Sequence, residues 1–445
     1  MIAALFFVFL IYLLIHYIID PIKGVYIYIF ACLFFPYISL FSVTFRIELL
    51  VVPFLVAAVL VRNKERTIVP SVLLIWLLFV TYCVVVSFFK VPDTNGSSLN
   101  YLEFYNYLRF GGLIIIGANS KFSRADLLKL SVFFFYLSVP IAILALGVAS
   151  GNALATNITQ IFYTSPSRIV FENQIAYIDS GYSFRSIGVF ENVSFYASYL
   201  LVVLMLGVTF VLNKQIDLKS IKNRILFIIV IIINLLAGVS TSSLTFYVGV
   251  VFIFIYIVIK KPLVSIRLVL GLLAIFVIFG AIFYNKIAES AQQYIDVFQY
   301  LYHSFLNGDK LGERYALSGR ENGNLTNIIH HSWFSGNGFR SYDKVVVNDS
   351  LFLEFFYQAG VLGGLILLFF IGVIFFNSFK KPGIKNQKIY LVFSIILIAG
   401  LGCNSISIVR LTEWLWILIG MLSTAGLKRW NNETLESEIE NKSVL

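Results

Sequence analysis

Charged residues are scarce in this chain. They make up 13% of its 445 residues, where a soluble globular protein carries about a quarter. That shortage excludes an ordinary soluble domain, whose surface needs those charges. Cysteine is nearly missing too. Cys32, Cys83 and Cys403 all lie in apolar runs, at no disulfide-framework or metal-ligating spacing. The chain is therefore no cysteine-stapled scaffold, and its redox compartment is not legible. Its four histidines form no His–Cys cluster and no Glu-x-x-His pattern, and Asp-x-Asp does not occur, so neither a metal nor a cofactor is expected. No Walker loop is present, so nucleotide hydrolysis is not indicated. The first apolar run has no basic segment ahead of it and leads straight into further runs, which argues against a cleaved signal peptide.

Apolar residues are what the chain has. They reach 59%, with 44 Phe and 25 Tyr, and the mean hydropathy is +0.89. Runs long enough to cross roughly 30 Å of hydrocarbon fall near 2–19, 25–45, 47–61, 68–89, 104–119, 130–150, 187–212, 225–239, 244–259, 268–285, 350–378, 389–408 and 411–427. The expectation is an all-α polytopic membrane protein of about 12 to 13 spans. It would form one transmembrane domain, 1–427, followed by a polar cytoplasmic tail, 428–445.

Lys and Arg set the orientation. The short loops 62–67, 121–129, 213–224, 260–267 and 379–388 hold 17 basic residues and alternate correctly with the spans, so they are expected to face the cytoplasm. The net charge of +10 is then a topology signal, and no nucleic-acid partner is expected. Two large loops fall on the opposite, periplasmic side, 151–185 and 286–349. Both are rich in Tyr, Ser, Asn and Gly. No internal repeat and no paired Pro- or Gly-broken spans are visible, which weakens a transporter reading.

The loops carry the candidate chemistry. The first ends in Arg185-x-x-Gly188, followed by Glu191. The second holds Arg320, the tandem His330-His331, Gly336-x-Gly338 and Arg340. It closes on Asp349 and Ser350, then nine residues, then Gly360-x-x-Gly363, with Glu354 one helical turn after Ser350. This ordered set resembles the superfamily of O-antigen polymerases (Wzy) and O-antigen ligases, with Asp349 standing where the ligases carry His. The resemblance covers about the last two thirds of the chain. It implies a GT-C-like membrane glycosyltransferase of the bacterial inner membrane, metal-independent and inverting, with its active site on the periplasmic side. Its partners would be undecaprenyl-diphosphate-linked oligosaccharides, membrane lipids, a chain-length regulator and a flippase.

The residue types suit that chemistry. Arg185 and Arg320 can hold a diphosphate, because a guanidinium donates paired hydrogen bonds and keeps its charge. Their plainer roles are a snorkelling side chain at a span end and a solvated loop charge. Asp349 can accept the acceptor hydroxyl's proton, or cap the helix that follows; both roles stay open. His330 and His331 are alternative bases, and Arg340, Glu191 and Glu354 are candidates for binding sugar. The expected function is a surface-polysaccharide polymerase. The alternatives are the ligase that attaches glycan to a lipid A core and, from another class, a lipid-linked oligosaccharide flippase, which calls for charges along mid-membrane helices.

Overall fold

The computed structural model describes residues 2–36, 38–40, 43–63, 67–89, 100–120, 122–162, 187–190, 192–212, 220–241, 243–260, 333–339, 350–380, 389–403, 405–406 and 410–424. Helices α1 (Ile2–Ile19), α2 (Pro21–Phe34), α3 (Ile47–Arg62), α4 (Ser71–Phe89), α5 (Tyr101–Asn119), α6 (Arg124–Ala149) and α7 (Ala153–Gln160) are followed by α8 (Val193–Leu212), α9 (Ile221–Ser240), α10 (Leu244–Lys260), α11 (Leu351–Lys380), α12 (Ile389–Ala399) and α13 (Thr412–Thr424). The strands among the described residues form one hairpin, β1 (Ile38–Leu40) and β2 (Val43–Phe45), paired antiparallel with Ser39 opposite Thr44. Expectation and structure differ here: the apolar run 25–45 is not one span but the end of α2 and the hairpin. The helix stops at Phe34 because Pro36 follows Phe35, and the residue before a proline is driven out of the helical region.

Helix starts follow local chemistry. Asp20 caps α2, accepting from the amides of Ile22 and Lys23 ahead of Pro21. Ser123 and Asp126 form a reciprocal capping box on α6. Asn100 caps α5 by accepting from Glu103 N. Along α4, Trp76, Phe79 and Val80 are buried while Leu74, Leu78 and Phe88 are exposed. A helix apolar on both its inner and outer faces belongs in lipid. Among the described residues, five helices are long and apolar enough to cross a membrane: Ser71–Phe89, Ala125–Ala149, Val193–Leu212, Ile221–Ser240 and Leu351–Phe379. The chain is a multi-pass membrane protein. The expected span 268–285, the basic stretches 213–219, 261–267 and 381–388, and the tail lie outside the described residues.

Helix α8 runs through the middle, buried without a break from Tyr196 to Gly207. Helices α5 and α13 approach each other backbone to backbone. A Cβ on Gly117 would lie 2.1 Å from Ile417 O, and one on Gly420 would lie 2.2 Å from Ile114 O. Such glycine seams let membrane helices approach backbone to backbone. The helix ends sort into two groups. At one, Tyr17 meets Ser120 at 3.0 Å and Asn119 meets Asn63 and Ile68; here the basic stretches 62–67 and 121–129 begin or end. At the far end, Asn100 N donates to Phe339 O at 2.7 Å and Arg410 reaches Leu33 O at 3.0 Å.

One expected span is shorter than the sequence suggests. The run 389–408 forms a helix of only 11 residues, about 16 Å long at 1.5 Å per residue, while the run 411–427 is helical over Thr412–Thr424, with 425–427 outside the described residues. Between them, Cys403, Ser405, Ile406, Arg410 and Leu411 are buried without forming a helix. Protein groups take up backbone carbonyls among the described residues of this segment. Gly400 O accepts from Leu351 N at 2.8 Å, and Ile406 O accepts from Trp416 Nε1 at 3.2 Å. Irregular backbone at membrane depth is tolerated where protein covers it in this way.

Candidate functional site

Two buried polar clusters occupy the far half of the bundle. The first is organised by glycine. Helix α11 breaks at Gly360, where φ is 57° and ψ is −160°, a left-handed conformation open to glycine and costly for other residues. The break frees the carbonyls of Tyr357 and Gln358 and the amides of Val361 and Leu362. Segment 333–338 takes all four. Asn337 N donates to Tyr357 O and Gly338 N to Gln358 O, each at 2.8 Å, while Val361 N donates to Trp333 O at 2.9 Å and Leu362 N to Phe334 O at 3.2 Å. Gly336 (φ 76°) and Gly338 (φ 64°) fit because no side chain would: a Cβ would lie 2.3 Å from Gln358 O in one case and 2.1 Å from Ser87 Oγ in the other. The segment works as a clasp across a broken helix, pinned to α4 by Tyr82 OH donating to Ser335 O at 2.9 Å and by Phe339 N donating to Ser87 Oγ at 2.7 Å.

The clasp lies beside a carboxylate pair. Gln358 is the hub. Its Nε2 donates to Glu103 Oε1 and, at 3.5 Å, to Glu354 Oε1, and its Oε1 accepts from Tyr107 OH at 2.7 Å. Glu103 lies in the first turn of α5 and Glu354 in the first turn of α11. One amide thus holds two carboxylates of different helices close together near the bundle's far end. Two acceptor groups at that level are suited to receiving hydroxyls.

The second cluster lies deeper. Arg109 Nη1 donates to Glu413 Oε1 at 2.6 Å, and Tyr28 OH donates to Glu413 Oε2 at 2.6 Å. Both charged side chains are 1% exposed. Arg109 is eight residues inside α5, about 12 Å below its first residue. Because Glu413 opens α13, that helix begins deep in the bundle. Glu48, 2% exposed, is near enough to interact electrostatically with both charges. One turn before Glu413, Arg410 adopts φ 77°, rare for a residue with a side chain. It is held there by Leu33 O, by Phe162 O at 3.4 Å and by the face of the Phe162 ring.

Of the residues singled out in the sequence, the structure joins Glu354, Ser350, the Gly336-x-Gly338 turn and Gly360 in one place. Gly188 also has a positive φ of 54°, in a tight turn just ahead of α8. Arg185, Glu191, Arg320, His330, His331, Arg340 and Asp349 lie outside the described residues. The sequence reading missed Glu103, Gln358, Arg109, Glu413 and Arg410. For Arg109 and Glu413 a signal was present: each is a lone charge inside an apolar run, and such charges mark function by default. The sequence shows no paired broken spans and no charges along several mid-membrane helices; to that the structure adds one break, at Gly360, and one buried charge pair, Arg109–Glu413. No family model, no curated protein and no solved structure matches the chain.

Proposed function

We propose that this protein is a membrane glycosyltransferase that polymerises a surface polysaccharide, moving a growing glycan from undecaprenyl diphosphate onto the terminal sugar of a new lipid-linked repeat unit. The observation that carries the reading is the clasp. It fastens the end of the polar insertion 286–349 to the first half of α11, beside Glu103 and Glu354. A long polar segment tied to the lip of an apolar bundle suits a substrate whose lipid stays in the bilayer and whose sugars stay in water. In this reading Arg185 and Arg320 hold the diphosphate, with Arg340 and Glu191 on the sugars. Asp349, next to Ser350 at the start of α11, takes the acceptor's proton, His330 and His331 are the alternative bases, and Glu354 with Glu103 binds acceptor hydroxyls. The active site then faces the periplasm.

Deletion of the gene, followed by gel analysis of surface glycan, tests the reading. Loss of the ladder to a single-repeat band is the expected result. A bare core with lipid-linked polymer retained would make the protein a ligase. The flippase reading gains from the break at Gly360 and the short α12, since transporters build their sites at interrupted helices. Lipid-linked repeats that stay on the cytoplasmic side in the deletion strain would favour it. Because α11 starts at Leu351 and Glu354 N donates to Ser350 O, Ser350 holds the cap position; Asp349→Asn keeps the size of the side chain but cannot take a proton, so ladder formation stops while the protein still inserts.

A further inference from the structure

The clasp has two ends of unlike character. At one, Phe339 is 1% exposed, and its ring meets those of Phe104 at 5.8 Å and Tyr107 at 5.1 Å. At the other, Trp333 is 54% exposed and Phe334 52%, with their rings edge to face at 5.4 Å. Contiguous apolar surface of this kind marks an interaction site, a membrane among the candidates. The neighbours narrow the choice. Trp333 O and Phe334 O accept from Val361 N and Leu362 N, so the pair borders the part of α11 where Val361, Leu362 and Leu365 are exposed as well.

Two helices give the depth. Helix α4 stays apolar to its last two residues, Phe88 and Phe89, both exposed. Tyr82, whose hydroxyl donates to Ser335 O, lies seven residues before Phe89, about 10 Å in from that end. Helix α11 has 30 residues, about 45 Å of length against roughly 30 Å of hydrocarbon. With Lys380 at one boundary, the other falls about ten residues into α11, near Val361 and Leu362. The backbone of the clasp suits that depth. The carbonyls of residues 333, 334 and 335 and the amides of 337, 338 and 339 all have partners in protein. Water would satisfy such groups unaided, whereas lipid offers nothing, so irregular backbone in a bilayer must be bonded in this way.

We propose that the end of the polar insertion re-enters the membrane, and that Trp333 and Phe334 form a lipid-docking surface in the interfacial layer of the bilayer at the far end of the bundle. Trp suits that layer, because its ring is apolar and its N–H can reach the headgroups. The clasp is then fastened twice, to α4 and α11 by hydrogen bonds and to lipid by the aromatic pair. The expectation that all of 286–349 stands in water gives way at 333–335. The inference does not depend on the glycosyl-transfer reading.

The test is fluorescence quenching of the full chain in phosphatidylcholine nanodiscs, with and without bromine high on the acyl chains. Trp76, Trp414 and Trp416 are at most 1% exposed. Subtracting the emission of Trp333→Phe, a change at an exposed position that keeps an aromatic ring, isolates Trp333 from them and from Trp430. The Trp333 emission should lose most of its intensity to the brominated lipid and little to aqueous iodide. Quenching by iodide that equals or exceeds quenching by the brominated lipid would put the pair in water, as a stacking face for a sugar ring, and overturn the inference. Protection from both quenchers would mean that a second copy or another protein covers the pair, which overturns it as well.

Discussion

The two buried clusters satisfy their polar groups in opposite ways. Around Gln358 both amide atoms are used, and the four backbone groups freed at Gly360 find partners on the clasp. Around Arg109 the charge pair is short and direct, yet two of the three guanidinium nitrogens and one Glu48 oxygen have no partner in protein. A satisfied network fixes one arrangement of its parts. A buried ion pair is weak support for stability, since apolar residues of similar size often serve as well. The first cluster therefore reads as a lock that holds the polar insertion on α11, and the second as a site where charge serves something other than packing.

The largest effect should come from breaking the charge pair on one side only. Arg109→Ala leaves Glu413 buried with only Tyr28 to answer it, at a cost of about 3–5 kcal/mol. Thermal unfolding in detergent measures this. Arg109→Met combined with Glu413→Leu removes both charges and should recover most of the loss. If the double variant is as unstable as the single, the pair was not the source of the penalty and the contrast between the clusters fails.

A smaller effect is expected at the clasp. Gly338→Ala forces a Cβ to within 2.1 Å of Ser87 Oγ at φ 64°, and a strained backbone of this kind costs about 1–3 kcal/mol. The loss is local. Limited proteolysis should cut within 333–339 while the bundle melts near its usual temperature. Gly364→Ala is the control, because a Cβ there meets nothing within 4 Å and the helix gains by roughly 0.5–1 kcal/mol. Equal protease resistance for Gly338→Ala and the parent would mean that the clasp is not what fastens this segment.

How much of this was legible follows from what each signal depends on. Membrane class and most helix positions were legible, because lipid demands long apolar runs whatever the tertiary fold. The ends of α2 and α12 were not. In 25–45 a proline ended the helix inside an apolar stretch, and in 400–411 tertiary contacts replaced helical bonds without any change in hydropathy. At the candidate site, the glycines of 336–338 and 360–363 were legible as motifs. Their meeting was not, since a hydrogen-bond exchange between segments 20 or more residues apart leaves no mark on spacing. Glu103 was hidden by its place just outside the run 104–119, and Gln358 by being an uncharged residue within one.

The smallest structural effect belongs to the change that most sharpens the comparison. Glu103→Gln keeps an oxygen that can accept from Gln358 Nε2, so the hub survives. What is lost is the charge assistance of one hydrogen bond, about 1 kcal/mol. Glu354→Gln is its counterpart across the same amide, where the bond is longer at 3.5 Å, and it should cost less still. If the pair only locks the clasp to α5, both variants keep their protease resistance at 333–339 and their glycan ladders. If the carboxylates bind acceptor hydroxyls, protease resistance stays while the ladder shortens, because a neutral amide accepts more weakly from a hydroxyl than a carboxylate does. In that case the effect is on acceptor KM more than on kcat, since an interaction made equally in ground and transition states is lost as binding. A fall in both ladder and protease resistance would return Glu103 and Glu354 to a purely structural role, and the Gln358 cluster would then be a lock and nothing more.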